Sequence, residues 1–138
     1  MRPQSISKLL SLNDTGENGS HQAGMLIPKG GDILEFFPAL DSSIKNPRSV
    51  LVFEDESHQH WKFNFIYYNN RLFGGTRNEY RLTEMTKFIR QHDLHAGDTI
   101  ILSRKVDGCL TISCQRQDDS NEKPVNLVVT GTWRVVKY

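Results

Sequence analysis

Cysteine is scarce in this chain, with only Cys109 and Cys114 among 138 residues. Lying five positions apart in a segment patterned as a strand, they face opposite sides and stand roughly 17 Å apart at about 3.3 Å per residue. That separation excludes a disulfide between them, and the expectation is two buried, reduced thiols acting as small hydrophobes. Net charge is scarce too. With 17 Lys and Arg against 16 Asp and Glu, the molecule has no general field for coating nucleic acid or an anionic membrane, so any anion must be held by a local cluster. No apolar run approaches the roughly 20 residues that span a bilayer. The N-terminal MRPQSISKLL has no signal-peptide core with a small-residue cleavage site. A soluble, intracellular protein without a membrane partner is expected.

The usual signatures of catalysis are missing as well. There is no G-x-S-x-G, and Gly74-Gly75 is not followed by the Lys-Ser/Thr of a phosphate loop. His58 and His60 beside Glu54 and Glu56, and His92 with His95, each offer two metal ligands without a third fixed partner, which is weak evidence for a metal. Solvated loop histidines are the plainer reading. A small metal-dependent nuclease using His58, His60 and nearby carboxylates stays open as an alternative. However, no predicted strand carries the acidic residue and Glu-x-Lys or Asp-x-Lys pair of restriction-type nucleases. Asp107, Asp118, Asp119 and Glu122 all fall in turns, where carboxylates serve solubility.

The chain is long enough to bury one core without disulfides or a metal, and a single domain over 1–138 is the expectation. ISKLLSL (Ile6 to Leu12) reads as a first strand, NDTGENGSHQAG as a polar loop, and GMLIP as a short apolar element. GGDILEFFP offers Asp32 as an N-cap, Glu35 three residues on, and Pro38 as a stop, which predicts a short helix. SVLVFED and HWKFNFIYYN are strands by composition and alternation. Thr83 can cap a second helix with Met85, Phe88 and Ile89 on one face and Leu94 beyond it. TIILSRKV, the Asp107-Gly108 turn and LTISCQRQ predict a hairpin. A polar loop from Asp118 to Pro124 and one or two strands around Gly131 close the chain. Seven or so strands, two short helices and no βαβ rhythm predict a mainly β, closed or nearly closed barrel.

Two polar loops, Asn13 to Gln22 and Asn69 to Arg81, are longer than tight hairpins need, and such loops are where function concentrates. The second sets Arg71, Arg77 and Arg81 against Glu79 alone. Arginine forks match guanine O6 and N7, a carboxylate accepts from cytosine N4, and Asn pairs with adenine. A glutamate is repelled by phosphates, so Arg77-Asn78-Glu79-Tyr80-Arg81 fits bases better than backbone. The alternative at this point is an exposed turn laced by Arg–Glu pairs, each contributing about 0–1 kcal/mol.

Read with their flanks, LSLNDTGENGSHQAGMLIP and IYYNNRLFGGTRNEYRLT resemble the N-terminal effector domain of EcoRII-type restriction endonucleases, through NDTG, GSHQAG, IYYN and FGxTRNExR in the family's order. A looser similarity, W-x-F then YRLT and LHAGDTIIL, is to the plant transcription-factor domains that share this DNA-binding pseudobarrel.

The resemblance implies a seven-stranded pseudobarrel gripping duplex DNA, with an N-arm at about Asn13 to Gln22 and a C-arm at about Arg71 to Arg81 entering the major groove. It implies recognition of 5′-CCWGG and DNA contacts from Asn13, Thr15, His21, Gln22, Asn69, Arg71, Arg77, Asn78, Glu79, Tyr80 and Arg81. The family's string carries basic residues where this chain has Gly75 and Tyr80, and Lys8, Lys29 or Lys62 are candidates to compensate. The implied molecule is a non-catalytic effector domain cut from a longer prokaryotic, cytoplasmic restriction enzyme. Its partners would be double-stranded DNA and that enzyme's nuclease domain. Binding would need no cofactor, with magnesium serving only the nuclease. A free-standing DNA-binding protein or a protein-interaction barrel remain the alternatives.

Overall fold

Alternating apolar residues build the strands of this chain, each with one face toward a single aromatic core. The computed structural model describes residues 3–17, 19, 24–117 and 132–136. Its strands are β1 (Ser5–Leu9), β2 (Met25–Ile27), β3 (Arg48–Glu54), β4 (His60–Tyr68), β5 (Glu79–Thr83), β6 (Thr99–Arg104), β7 (Leu110–Gln115) and β8 (Trp133–Val135). Three short helices, α1 (Leu12–Thr15), α2 (Asp32–Phe36) and α3 (Thr86–Gln91), punctuate them, with a 3-10 turn at Asn70–Phe73.

The strands form one sheet in the order β2-β5-β4-β3-β7-β6-β1-β8. Every pairing is antiparallel except β3 with β7, which is parallel over Phe53–Leu110 and Glu54–Thr111. The two ends of the sheet meet where the Trp133 indole N–H donates to the Leu26 carbonyl at 2.9 Å. The result is a curled, open barrel, matching the expected mainly β pseudobarrel with one more strand and one more helix than the sequence pattern indicates.

Fully buried Phe36, Phe53, Phe63, Phe65 and Phe88 fill the interior together with Ile6, Leu10, Leu82, Ile100 and Leu102. Buried aromatics of this size dominate the hydrophobic contribution to stability.

Several local expectations are corrected by hydrogen bonding. β1 ends at Leu9, because Ser11 and Asp14 form a capping box that starts α1 in what reads as loop. Gly31, not Asp32, is the N-cap of α2, and Asp32 and Glu35 sit in its first turn. Thr83 ends β5, while Met85 precedes α3, although Met85, Phe88, Ile89 and Leu94 are buried as the helical spacing predicts. The loop from Asn69 to Arg81 is shorter than expected, since β5 already begins at Glu79. Cys109 is exposed in the turn before β7 and Cys114 half-buried, so the pair of buried thiols is not found, though both are free. Asp118 to Gly131 lies outside the described residues.

Candidate nucleic-acid interface

Cross-strand register decides which side chains share a face of the sheet. Tyr67 pairs with Tyr80 and Phe65 with Leu82, so these point to the core. Tyr68 pairs with Glu79, Ile66 with Arg81 and Asn64 with Thr83, and these take the outer face. Leu26 of β2 opposite Arg81, and Arg48 of β3 opposite Ile66, extend that outer row across four strands.

Glu79 organises the outer face. Its Oε2 accepts from Arg77 Nε at 3.1 Å, from a terminal Arg77 nitrogen at 2.9 Å and from Arg81 Nε at 2.7 Å. Arg81 also donates to the Gly24 carbonyl at 2.8 Å, tying β5 to the point where the first arm re-enters the sheet. The Arg77 guanidinium stacks over Tyr68, 3.8 Å from the ring centroid. Partial burial works to raise the Glu79 carboxyl, but hydrogen bonds and charge from Arg81 and Arg77 outweigh it and hold the group below its ordinary 4.5. Two guanidinium groups and one ionised carboxylate are thus fixed side by side.

The turn that carries them is braced from beneath. Asn69 is fully buried, its side chain accepting from Asn46 N at 2.7 Å and donating to the Ile44 and Ser42 carbonyls. Arg71 N donates to the Arg77 carbonyl, closing the neck of the arm. Gly74, at φ +91°, adopts the left-handed conformation that ends the 3-10 turn.

Beside this row lies an open groove of about 770 Å³ whose walls include Arg48, His60, Lys62, Lys87 and Arg90, with Glu84 the one carboxylate among its lining residues. Lys62 follows Asn64 and Ile66 along the outer face of β4, so the basic groove and the Arg77–Glu79–Arg81 cluster are one continuous surface. A second hollow of about 560 Å³ opens on the other side of Arg81, toward Lys8, Asn13 and Trp133. In the sequence Lys62 stands out only as a candidate, and Arg48, Lys87 and Arg90 do not stand out at all. Strand alternation carries a signal for Lys62, but only the folded chain brings β3 and α3 alongside it.

The root of the first arm is equally fixed. Lys8 Nζ meets Asp14 Oδ2 at 2.7 Å, with both side chains 7% exposed, so Lys8 is committed to an internal pair rather than held out for phosphate. Glu17 accepts from Ala96 N at 2.7 Å and lies 3.0 Å from His95 Nδ1, clipping the end of α1 to the turn before β6. Thr15 donates to Glu17 Oε1 at 2.7 Å.

Of the residues the sequence singles out, Arg77, Glu79 and Arg81 come together on the outer face, and Arg71 stands exposed at the neck beside them. Asn78 is half-buried, accepting from the Tyr67 hydroxyl at 2.8 Å. Two of these assignments are corrected. Asn69 is a buried brace, and Tyr80 points to the core, stacked on Tyr67 and Phe65. Asn13 is exposed on α1 and Thr15 is half-buried at its end. His21 and Gln22 lie outside the described residues. His58 stands in a turn at φ +67°, bonded to Glu54 at 2.6 Å. Among the described residues no three His, Cys, Asp or Glu side chains converge as a metal site.

The model of the family described as "Restriction endonuclease EcoRII, N-terminal" matches residues 4–126. The chain belongs to this family. It is 36% identical over 130 residues to the type II restriction enzyme EcoRII of Escherichia coli, a match covering 91% of this chain and 30% of that enzyme. The chain thus spans under a third of its EcoRII relative. Auxin response factor 10 of Arabidopsis thaliana is 30% identical over 115 residues, covering 83% of this chain and 15% of the plant protein. Among solved structures, the Arabidopsis FUS3–DNA complex superposes with a TM-score of 0.64 at 23% identity, covering 81% of this chain and 96% of that one. The UbaLAI restriction endonuclease B3 domain with cognate DNA superposes with a TM-score of 0.58 at 18% identity, covering 97% and 88%. These likenesses establish the B3-type pseudobarrel.

Proposed function

We propose that this chain binds double-stranded DNA sequence-specifically, with the Arg77–Glu79–Arg81 cluster addressing base edges in the major groove and the neighbouring basic groove following a phosphate backbone. The observation that carries the reading is the shared outer face: two arginines held by one ionised glutamate, continuous with a groove walled by Arg48, Lys62, Lys87 and Arg90. A surface for phosphates alone gains nothing from Glu79, whereas a carboxylate accepts from cytosine N4 and arginine donates to guanine. Such a division of labour, backbone contacts for position and base contacts for sequence, is general in protein–DNA complexes.

The site that fits this chemistry and the EcoRII relationship is 5′-CCWGG, whose guanines and cytosines supply partners for both arginines and for Glu79. His21 and Gln22 are assigned to the opposite arm on the motif alone. In this reading the chain is a single pseudobarrel unit of a longer, cytoplasmic restriction endonuclease. There it serves as the target-recognition or effector module beside a separate nuclease domain, performing no cleavage itself and using no metal to bind. The solved DNA complexes of the FUS3 and UbaLAI relatives support the mode of binding.

The test is a gel-shift panel at fixed salt in EDTA, in which each base pair of CCWGG is substituted in turn. Nanomolar-class binding that falls by about 1–3 kcal/mol for each wrong G·C pair supports the reading. Equal affinity for scrambled duplex refutes it. Repeating the titration across salt concentrations measures the phosphate contribution, since each neutralised phosphate adds about 0.9 to the slope of log K against log salt.

A further inference from the structure

The polar cluster leaves unexplained the most apolar part of the second arm. Leu72 and Phe73, adjacent at its tip, are 52% and 45% exposed. They do not ride on a loose loop. Leu72 N donates to the Asn69 carbonyl, Gly74 N and Gly75 N both donate to that of Asn70, and Arg71 N donates to that of Arg77. Asn69 beneath them is fully buried and tied to three backbone groups. Two large apolar side chains are therefore held in water on a braced turn, between the exposed cations Arg71 and Arg77. Isolated exposed hydrophobics need no explanation, but an adjacent pair at the tip of a rigid arm marks a contact surface.

We infer that Leu72 and Phe73 read pyrimidine C5-methyl groups in the major groove, and so sense the central W of the target. The inference rests on the DNA-binding reading above. Arg71 and Arg77 on either side suit the tip to an anionic partner, and the Arg71 N–H bond to the Arg77 carbonyl joins the base of the turn to the segment that carries Glu79 and Arg81. Within a duplex, the apolar feature presented to the major groove is the thymine C5-methyl. In CCWGG the central thymine lies on one strand or the other according to whether W is T or A. The methyl therefore moves from one side of the central pair to the other, and two adjacent apolar side chains can meet it in either place. A polar residue at the tip would select one orientation of the pair, whereas an apolar pair accepts both while still preferring A·T.

The experiment measures binding of the whole chain to CCTGG duplex with central thymine, to the same duplex with 2′-deoxyuridine in its place, and to a scrambled duplex. Deoxyuridine keeps every hydrogen-bonding edge and removes only the methyl. Wild-type protein is expected to bind the deoxyuridine duplex about fourfold more weakly, the equivalent of one buried methyl group. The Leu72→Ala/Phe73→Ala variant is expected to bind both duplexes equally while still preferring them to the scrambled one. Equal binding of thymine and deoxyuridine by wild type, with site preference intact, overturns this inference alone. Loss of site preference with either pyrimidine overturns the DNA-binding reading and this inference with it. A variant that keeps the wild-type thymine preference but changes oligomeric state assigns the tip to a protein contact instead and also overturns it. The comparison in wild type stands whether or not the variant folds.

Discussion

The rings of Tyr67 and Tyr80 lie face to face, 8° from parallel with centroids 4.2 Å apart. Phe65 also stacks on Tyr80 at 5.7 Å, and Phe37 on Phe65 at 4.6 Å, so an aromatic ladder runs from α2 to the second arm. At its outer end the Tyr67 hydroxyl holds Asn78. Tyr80 stands where the resemblance implies a basic residue, and here the position faces the core side of β5, so its ring stiffens the arm.

Restoring the charge by Tyr80→Lys is therefore expected to lower stability by about 2 kcal/mol, from two stacked pairs at about 0.5–1.5 kcal/mol each plus lost burial. DNA affinity should fall or stay level rather than rise. Urea denaturation and a salt titration of binding check the two halves. A steeper salt slope with unchanged stability would show the side chain reaching phosphate after all.

Glu79 is the acceptor at the centre of the outer face, and Glu79→Gln replaces a charge-assisted acceptor with a neutral amide of the same shape. The expected loss of affinity for the G·C-containing target is about 1–3 kcal/mol, concentrated at one base pair. Because the arginines lose their common partner, non-specific binding to scrambled duplex should rise slightly at low salt. A uniform loss over all sequences, measured by the same substitution panel, would assign Glu79 to arm architecture alone.

Strand alternation in HWKFNFIYY and the polar run TRNE made the sheet and the second arm legible in the sequence. What it could not show is side. Asn69 and Tyr80 look as polar as their neighbours, yet one is a buried brace bonded to the backbone of residues 42–46 and the other a rung of the ladder, set to the core by the register of β4 with β5. The basic groove was hidden for a similar reason. Arg48, Lys62 and the pair Lys87 and Arg90 are far apart in sequence and are brought together by β3–β4 pairing and the packing of α3 beside them. The α1 turn was read as loop because one turn of helix lacks periodicity, although its Ser-x-x-Asp capping pair was visible at Ser11 and Asp14.

Gly24, where the first arm rejoins the sheet, has φ +117°, and a Cβ there would sit 2.3 Å from the Leu82 carbonyl oxygen. Gly24→Ala should cost about 3 kcal/mol, combining backbone strain with a contact that only strand movement relieves. It should also displace the carbonyl that Arg81 binds. Gly30→Ala, whose added Cβ meets nothing within 4 Å, is the matched control. Thermal melts of the two variants should differ by well over the scatter of a neutral substitution.

Lys8 and Asp14 form a pair almost removed from solvent, and Asp14 also accepts from Ser11 N in the capping box. Asp14→Ala leaves the Lys8 ammonium without its partner and is expected to cost about 3 kcal/mol. Lys8→Met combined with Asp14→Ala should recover part of that loss, since no buried charge then remains. A double-mutant cycle in denaturant isolates the coupling. Additive losses would show the pair contributing little.

The clip between His95 and Glu17 makes the first arm's root sensitive to pH. The hydrogen bond to Glu17 raises the His95 imidazole above its ordinary 6.5, slight burial opposing it and the carboxylates of Asp93, Glu17 and Asp98 adding to it. Arg116, 4.0 Å from Asp98, is the nearby cation. For Glu17, burial acts to raise the carboxyl, while hydrogen bonds from Thr15, Ala96 N and His95 prevail and lower it below 4.5. A raised histidine contributes stability that is fully present below 6.5 and is lost as pH climbs through its folded value. A lowered glutamate contributes stability that is present above 4.5 and is lost as pH falls through its own folded value. The clip is therefore complete between about pH 4.5 and 6.5, and loosens on the alkaline side first under ordinary conditions. NMR titration of the His95 ring should show the raised value. Stability and DNA affinity should both decline as pH rises past it. In His95→Gln, which keeps a hydrogen-bond donor but does not titrate, that decline should be absent, and an unchanged alkaline limb would place the titrating group elsewhere.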